Sequence, residues 1–189
     1  DGKLNTRFVE LDDIGAGVET ITTTWTYDGG FIASEETVSS ADPSQNFRTE
    51  YSFFYDNDGN PININEEKRL VSGSGASAAF QTTSFTYHSD QQLASITYPD
   101  NVKKIFEYET TNPYLKRSYY ETAGGVAIAH LEENFVHDPQ TGLMLEHRDA
   151  KDKLTTFTYD ALNRVRTTIN PLGEITVFSY EDNRIVSVE

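Results

Sequence analysis

The chain has 189 residues, of which 37% are hydrophobic and 12% aromatic, with a formal net charge of −15 and no cysteine. The acidic charge argues against nucleic acid and anionic membranes as partners, because neutralising phosphate requires clustered Lys and Arg. The lack of cysteine excludes a disulfide scaffold, a thiolate zinc site and a cysteine nucleophile. No apolar run is long enough to span a bilayer as a helix.

A short aromatic motif recurs along the chain. Residues 1–24 fit it poorly, and we interpret them as a degenerate N-terminal lead-in or partial repeat before a single array at 25–189. The motif is an aromatic residue, any residue, then Tyr or once His. Its copies are Trp25–Tyr27, Phe53–Tyr55, Phe85–Tyr87, Phe106–Tyr108, Phe135–His137, Phe157–Tyr159 and Phe178–Tyr180. Regular recurrence over tens of residues predicts a repeat protein.

The spacing within each pair predicts a strand. Residues two apart point to the same side of a strand, so Phe157 and Tyr159 share one face while Thr156 and Thr158 lie on the other. β-Branched and aromatic residues also favour strands. The sequence therefore predicts aromatic pairs aligned along one face of an antiparallel sheet; we call this set the aromatic ladder.

Two kinds of turn separate the strands. An acidic residue follows the closing aromatic residue at Asp28, Asp56, Asp138 and Asp160, where a carboxylate can accept backbone N–H groups of a turn. In the second turn Pro171 presets φ and Gly173 tolerates positive φ, as Pro99 and Asn101 do earlier. We predict an all-β fold of antiparallel β-hairpin repeats, forming a continuous curved sheet or a partial β-spiral or shell. Insertions at 39–46, 72–79 and 110–113 are predicted loops.

Residues 157–180, FTYDALNRVRTTINPLGEITVFSY, resemble the Rhs or YD-repeat family. The resemblance extends from Trp25 onward, although Tyr87 is followed by His88 and the unit after His137 lacks the Pro-x-Gly turn. It implies a β-strip that winds into a spiral, as in the hollow shells of bacterial Rhs proteins and insecticidal toxin complexes and in teneurins. We therefore expect a segment of shell wall, or a short open relative, excised from a longer chain.

Candidate metal and catalytic sites are weak. DNDGNPININEE (56–67) begins like a calcium loop, but Pro61 stands where an EF-hand needs Gly. Of the four histidines, His88 and His137 are interpreted as variants of the repeat, and His130 and His147 have no partner at metal-ligand spacing. Carboxylates are abundant, yet sequence spacing on a repeated sheet cannot select the converging pair that a glycosidase needs. We predict no metal, no cofactor and no enzymatic activity.

A cluster of tyrosines lies outside the ladder. Tyr114, Tyr119 and Tyr120 are the candidate binding residues, because exposed Tyr rings suit binding surfaces and can stack on sugars. The competing interpretation is a further strand with Tyr120 packed inward.

Three functions follow as hypotheses. The first is a non-enzymatic wall segment of an exported Rhs or YD-repeat protein, secreted or at a bacterial cell surface. Its partners would be the remainder of its own longer chain and an enclosed C-terminal passenger or toxin. The alternative is a cell-surface module that binds carbohydrate or protein, and the third is a hydrolase acting through carboxylates.

Overall fold

The computed structural model describes residues 5–13, 17–40, 46–73, 78–181 and 184–188, with side chains from residue 21 onward. These residues form fifteen β-strands. The strands are β1 (Asn5–Asp13), β2 (Gly17–Asp28), β3 (Phe31–Ser39), β4 (Phe47–Tyr55), β5 (Pro61–Ser72), β6 (Ala79–Tyr87), β7 (Leu93–Thr97), β8 (Lys103–Tyr108), β9 (Leu115–Glu121), β10 (Glu133–His137), β11 (Met144–Arg148), β12 (Leu154–Tyr159), β13 (Val165–Ile169), β14 (Ile175–Glu181) and β15 (Arg184–Val188).

The hydrogen-bonded order of the strands is their order along the chain. Every described pairing is antiparallel, as in consecutive hairpins. The predicted all-β fold of antiparallel hairpins is confirmed. Parts of the predicted lead-in (1–24) and of the predicted loops at 39–46 and 72–79 lie outside the described residues. No helix within the described ranges is long and apolar enough to cross a membrane.

The chain divides into two compact units. The first comprises Asp1–Gln91 and Ile96–Pro99, and the second comprises Gln92–Ser95 and Asp100–Glu189. Both units contain copies of the aromatic motif. That residues 25–189 form a single repeat array stays a prediction.

The sheet buries its side chains only in part. Phe53 is the one large hydrophobic residue that is buried among the described side chains, with 7% of its surface exposed. Most other strand side chains are half-buried. Hydroxyl groups pair across neighbouring strands, with 2.7 Å between Thr26 and Ser34 and 2.6 Å between Thr158 and Thr167. Such cross-strand pairs stabilise a sheet, and here they supplement a thin core.

A β-bulge accompanies the closing residue of each repeat whose following hairpin has a described register. In all six hairpins that follow a closing residue and whose register is described, the pairing shifts immediately before that residue. The extra residue lies on the following strand, for example Arg166 between the pairs Thr158–Thr167 and Tyr159–Val165. A bulge bends its strand and increases the local twist. The closing residues therefore lie where the backbone hydrogen bonding between the two strands is locally disrupted.

Candidate functional site: the aromatic ladder and its turns

In the second unit the aromatic pairs lie on one face of the sheet. Directly opposite residues of an antiparallel pair share a face. Phe135 lies opposite His147, His147 lies opposite Thr155, and Phe157 is two residues beyond Thr155 on the same strand. The same succession of pairs places on this face Phe106, Tyr108, Phe135, His137, Phe157, Tyr159, Phe178 and Tyr180. We call it the ladder face of the second unit.

The first unit has a ladder face of its own. Trp25 lies opposite Glu35, and Glu35 lies opposite Thr49. Alternation along β4 and the pairs across β5 then place on that face Trp25, Tyr27, Tyr51, Phe85 and Tyr87. Beyond Tyr51 the pairing of β4 with β5 shifts twice, and the ring of Phe54, rather than that of Phe53, lies beside Tyr87. Exposure varies among the motif residues of this unit, from the buried Phe53 to Tyr55, which is 50% exposed.

The phenol groups of three closing tyrosines bind backbone carbonyls. Tyr108 donates to the carbonyl oxygen of Leu93 at 3.0 Å, Tyr159 to that of Met144 at 2.7 Å, and Tyr180 to that of Val165 at 2.6 Å. Each acceptor is the first residue of the preceding strand, β7, β11 or β13, and stands 15 positions before its Tyr. A Tyr ring can thus pack on the sheet while its hydroxyl keeps a partner. We call this bond the tyrosine clamp.

The first unit uses a closing tyrosine differently. Tyr55 donates its phenol hydrogen to Oδ2 of Asp28 at 2.6 Å. This hydrogen bond is the main cause that raises the pKa of Tyr55, ahead of burial and the Asp28 charge. Asp28, which the sequence predicts to close the turn after Tyr27, binds the closing residue of the next motif.

An Asp or Asn carboxyl or amide oxygen starts most of the turns. Asp160 Oδ1 accepts the backbone N–H groups of Leu162 at 2.9 Å and Arg164 at 3.0 Å. Asp56, Asp149 and Asn170 likewise accept the backbone N–H groups of the residues two and four positions later. Asp138 accepts those of the residues two and three positions later. These N–H donors lower the pKa values of Asp56, Asp138 and Asp149, because they stabilise the carboxylate.

Both turns of a repeat share one backbone geometry. The fourth residue of the turn has positive φ, 62° at Asn163 after the closing Tyr and 81° at Gly173 in the Pro-containing turn. Its N–H donates to the carbonyl of the first residue, at 3.0 Å for Asn163–Asp160 and 2.9 Å for Gly173–Asn170. In both, three residues connect the paired strand ends and the last of the three lies in the left-handed region, as in the usual three-residue hairpin loop. The positive φ expected at Gly173 and Asn101 is present.

The YD-x-x-x-R residues connect neighbouring repeats. Arg164 Nε donates to Asp160 Oδ2 at 2.7 Å, and its Nη2 lies 2.6 Å from the same oxygen. The guanidinium carbon of Arg164 stands 4.3 Å from the ring centroid of Tyr180. Arg164 thus joins the turn after one closing Tyr to the clamp made by the next one.

The ladder position occupied by His137 is built differently. The ring of Tyr114 lies 5.5 Å from the ring of His137 and covers Gly142, where an added Cβ would come within 2.7 Å of Tyr114 ring atoms. Nearby, Phe135 stacks on His147 with centroids 4.9 Å apart. Tyr114 therefore packs beside the ladder at this position.

The other candidate binding tyrosines lie on β9, the further strand that was the competing interpretation. Arg117 stands over the Tyr119 ring at 4.3 Å, and Lys104 stands over the Tyr120 ring at 5.3 Å. All three candidate tyrosines are half-buried. A binding role for Tyr114, Tyr119 and Tyr120 stays a prediction.

The calcium-like segment forms one of the turns. Asp56 uses Oδ1 to hold the N–H groups of Asp58 and Asn60, and Gly59 takes the positive φ of 81°. Within the described ranges, no group of three or more His, Cys, Asp or Glu side chains is arranged to hold a metal ion.

Loss of one tyrosine clamp should lower stability measurably. We expect Tyr180→Phe to reduce the free energy of unfolding by about 0.5–1.5 kcal/mol, the usual net value of one hydrogen bond. Urea denaturation followed by circular dichroism measures it. Tyr108→Phe should give a similar loss, and the double variant should show the sum, because the two clamps lie in different hairpins. No loss in either variant would mean that water replaces the clamp.

The turn carboxylates predict a loss of stability in acid. The pKa of Asp160 lies below the ordinary value of 3.8, chiefly because its carboxylate accepts a hydrogen bond from the Arg164 side chain. A depressed folded-state pKa stabilises the fold above 3.8 and stops doing so as the pH falls through that lowered value. We expect the melting temperature of the protein to decrease as the pH is lowered below 3.8. The melting temperature of Asp160→Asn should decrease less steeply, since an amide keeps the turn acceptor but does not titrate. An unchanged pH profile in Asp160→Asn would contradict this.

Comparison with known proteins finds similar folds among solved structures. No protein-family model matches the chain, and no curated protein does. TcdB2-TccC3 without its hypervariable C-terminal region is similar in structure, with a TM-score of 0.53 and 13% identity over 96% of this chain. The Photorhabdus luminescens Tc holotoxin pore with mutated TccC3 gives the same values. The chain spans 11% of the length of each of those chains. At this identity the likeness is one of fold: this chain has the β-architecture of one part of those toxin proteins.

Proposed function

We propose that this chain is a non-enzymatic wall segment of an exported Rhs or YD-repeat protein, which encloses a passenger or presents a surface. The observation that carries the proposal is the recurring tyrosine clamp at 15-residue separation. It ties three of the closing rings to the start of the strand before each of them, so these repeated residues hold neighbouring strands together. The fold likeness to part of TcdB2-TccC3 supports the same role.

The chemistry of the motif also favours a mechanical role. The carboxylates with lowered pKa values, at Asp56, Asp138, Asp149 and Asp160, all hold the backbone of turns. A general acid or base needs a pKa near the working pH, and these carboxylates have been moved the opposite way. Secretion or display on a bacterial cell surface, and a passenger or toxin as partner, belong to the same proposal.

Cryo-electron microscopy of the complete gene product tests the proposal. In a wall, the outer edges of β1 and β15 pair with further strands, and the ladder or the opposite face borders an enclosed polypeptide. We expect both edges to be paired and density to be enclosed. If both edges face solvent in the complete product and no chain lies within, the protein is not a wall segment.

A further inference from the structure

A groove of about 380 Å³ lies on the ladder face of the first unit. Its lining includes Glu67, Arg69, Gln81, Thr83, Phe85 and Tyr98. The strands β5 and β6 supply the floor, where Arg69 lies opposite Gln81 and Glu67 lies opposite Thr83. Tyr98 and the adjoining Pro99, from the turn after β7, complete this part of the lining. The groove therefore combines aromatic lining residues with planar polar side chains.

Tyr98 departs from the turn chemistry of the other repeats. The matching first position of the turn is Asn170 or Asp149 elsewhere, and each holds two backbone N–H groups. The only side-chain oxygen of Tyr98 is at the far end of its ring, and Asp100 instead accepts the N–H of Val102 at 3.1 Å. The turn thus keeps its shape through a substitute, and the residue at position 98 supplies a ring to the groove.

The charges in the groove favour a neutral ligand. Arg69 Nε donates to Glu67 Oε1, so the guanidinium and carboxylate offset each other. Arg69 remains 73% exposed, whereas Glu67 is 18% exposed, so N–H donors of Arg69 still face solvent. Gln81 is exposed beside it and offers both a donor and an acceptor. A pyranose ring has an apolar face for an aromatic side chain and an edge of hydroxyl groups for these polar side chains.

We propose that this groove is a subsite for one pyranose ring of a neutral carbohydrate, with Tyr98 as the stacking platform and Gln81 and Arg69 as hydroxyl partners. Binding sites with an apolar lining and a few directed polar groups follow this pattern. The inference is independent of the wall role, because a wall can carry such a subsite and a free module can as well.

Two-dimensional ¹H–¹⁵N NMR titration of the intact chain tests the subsite. The probes are the hexasaccharides of cellulose, starch, mannan, xylan and chitin, each up to about 10 mM, which detects millimolar dissociation constants. We expect at least one to shift the amide signals around residues 67–69, 81–83 and 98–100. Tyr98→Ala should weaken that binding by about tenfold, about 1.4 kcal/mol, while Tyr98→Phe should retain it.

Further variants separate the outcomes. Gln81→Ala should weaken binding, and Leu172→Ala, in the exposed turn of the second unit, should leave it unchanged. Oligogalacturonate is the acidic comparison, and binding of that probe alone would overturn the proposal of a neutral ligand. Silence of every neutral probe would overturn the subsite itself, as would binding that survives Tyr98→Ala in a variant with unchanged circular dichroism.

Discussion

Phe53→Ala should lower the free energy of unfolding more than truncation of any other ring of the aromatic ladder. Phe53 is buried, with 7% of its surface exposed, and its ring lies 5.7 Å from that of Phe31. Removing a buried Phe side chain costs the lost transfer free energy plus that of the cavity, about 3–5 kcal/mol. Chemical denaturation monitored by circular dichroism measures the change.

The neighbouring residue provides a matched control for Phe53. Phe54 is the next residue of the same strand and is 41% exposed, with its ring 6.1 Å from that of Tyr87. We expect Phe54→Ala to cost about 1 kcal/mol, the centre of the range for single substitutions. Equal losses for Phe53→Ala and Phe54→Ala would show that the burial of a ring does not determine how much it stabilises this sheet.

Gly142→Ala should be the most damaging of the glycine substitutions in the turns of the second unit. Gly142 has φ of 73°, and an added Cβ would stand 2.7 Å from the Tyr114 ring. The backbone conformation alone costs an L-residue about 1–2 kcal/mol, and relieving the contact requires moving a half-buried ring. We expect a total above 2 kcal/mol, at the upper end of about 1–3 kcal/mol for a strained site, measured as a loss in unfolding free energy.

Gly173→Ala isolates the backbone contribution. Gly173 has φ of 81°, and no atom lies within 4 Å of an added Cβ, so the change should cost only about 1–2 kcal/mol. Adding Tyr114→Ala to Gly142→Ala should recover part of the larger loss, because it removes the obstructing ring. If Gly142→Ala and Gly173→Ala prove equal, the contact with Tyr114 contributes nothing.

The turns were predictable from the sequence because their causes are local. A carboxylate at Asp160 reaches N–H groups two and four residues away, and Asn163 or Gly173 accepts the positive φ that closes the loop. All of these interactions are contained within five consecutive residues. The alternation that places Phe157 and Tyr159 on one face is equally local.

The positions of the β-bulges and of the tyrosine clamps could not be predicted from the sequence in the same way. The extra residues include Ala33, Lys116, Leu145, Arg166 and Val186, which share no chemical property. The acceptors of the clamps are backbone carbonyls, which every residue has. Their positions follow only when the first residue of each strand is known, so the 15-residue spacing becomes informative after the fold is established.

Burial along the ladder was also hidden from the sequence. The motif treats Phe53 and Phe157 alike, yet Phe53 is buried and Phe157 is only half-buried. The difference depends on a neighbour from another strand, since Phe31 lies beside Phe53. Likewise, the groove beside Tyr98 needs side chains from β5, β6 and the turn after β7, which the chain brings together only by folding.

The strand pairings also bear on how the chain emerges from the ribosome. The widest described pairs, Asn5 with Trp25 and Thr49 with Arg69, join residues only 20 positions apart. Contacts of such short range form early and favour rapid folding. Each new hairpin can add to the one made just before it while translation continues, without waiting for the distant end of the polypeptide.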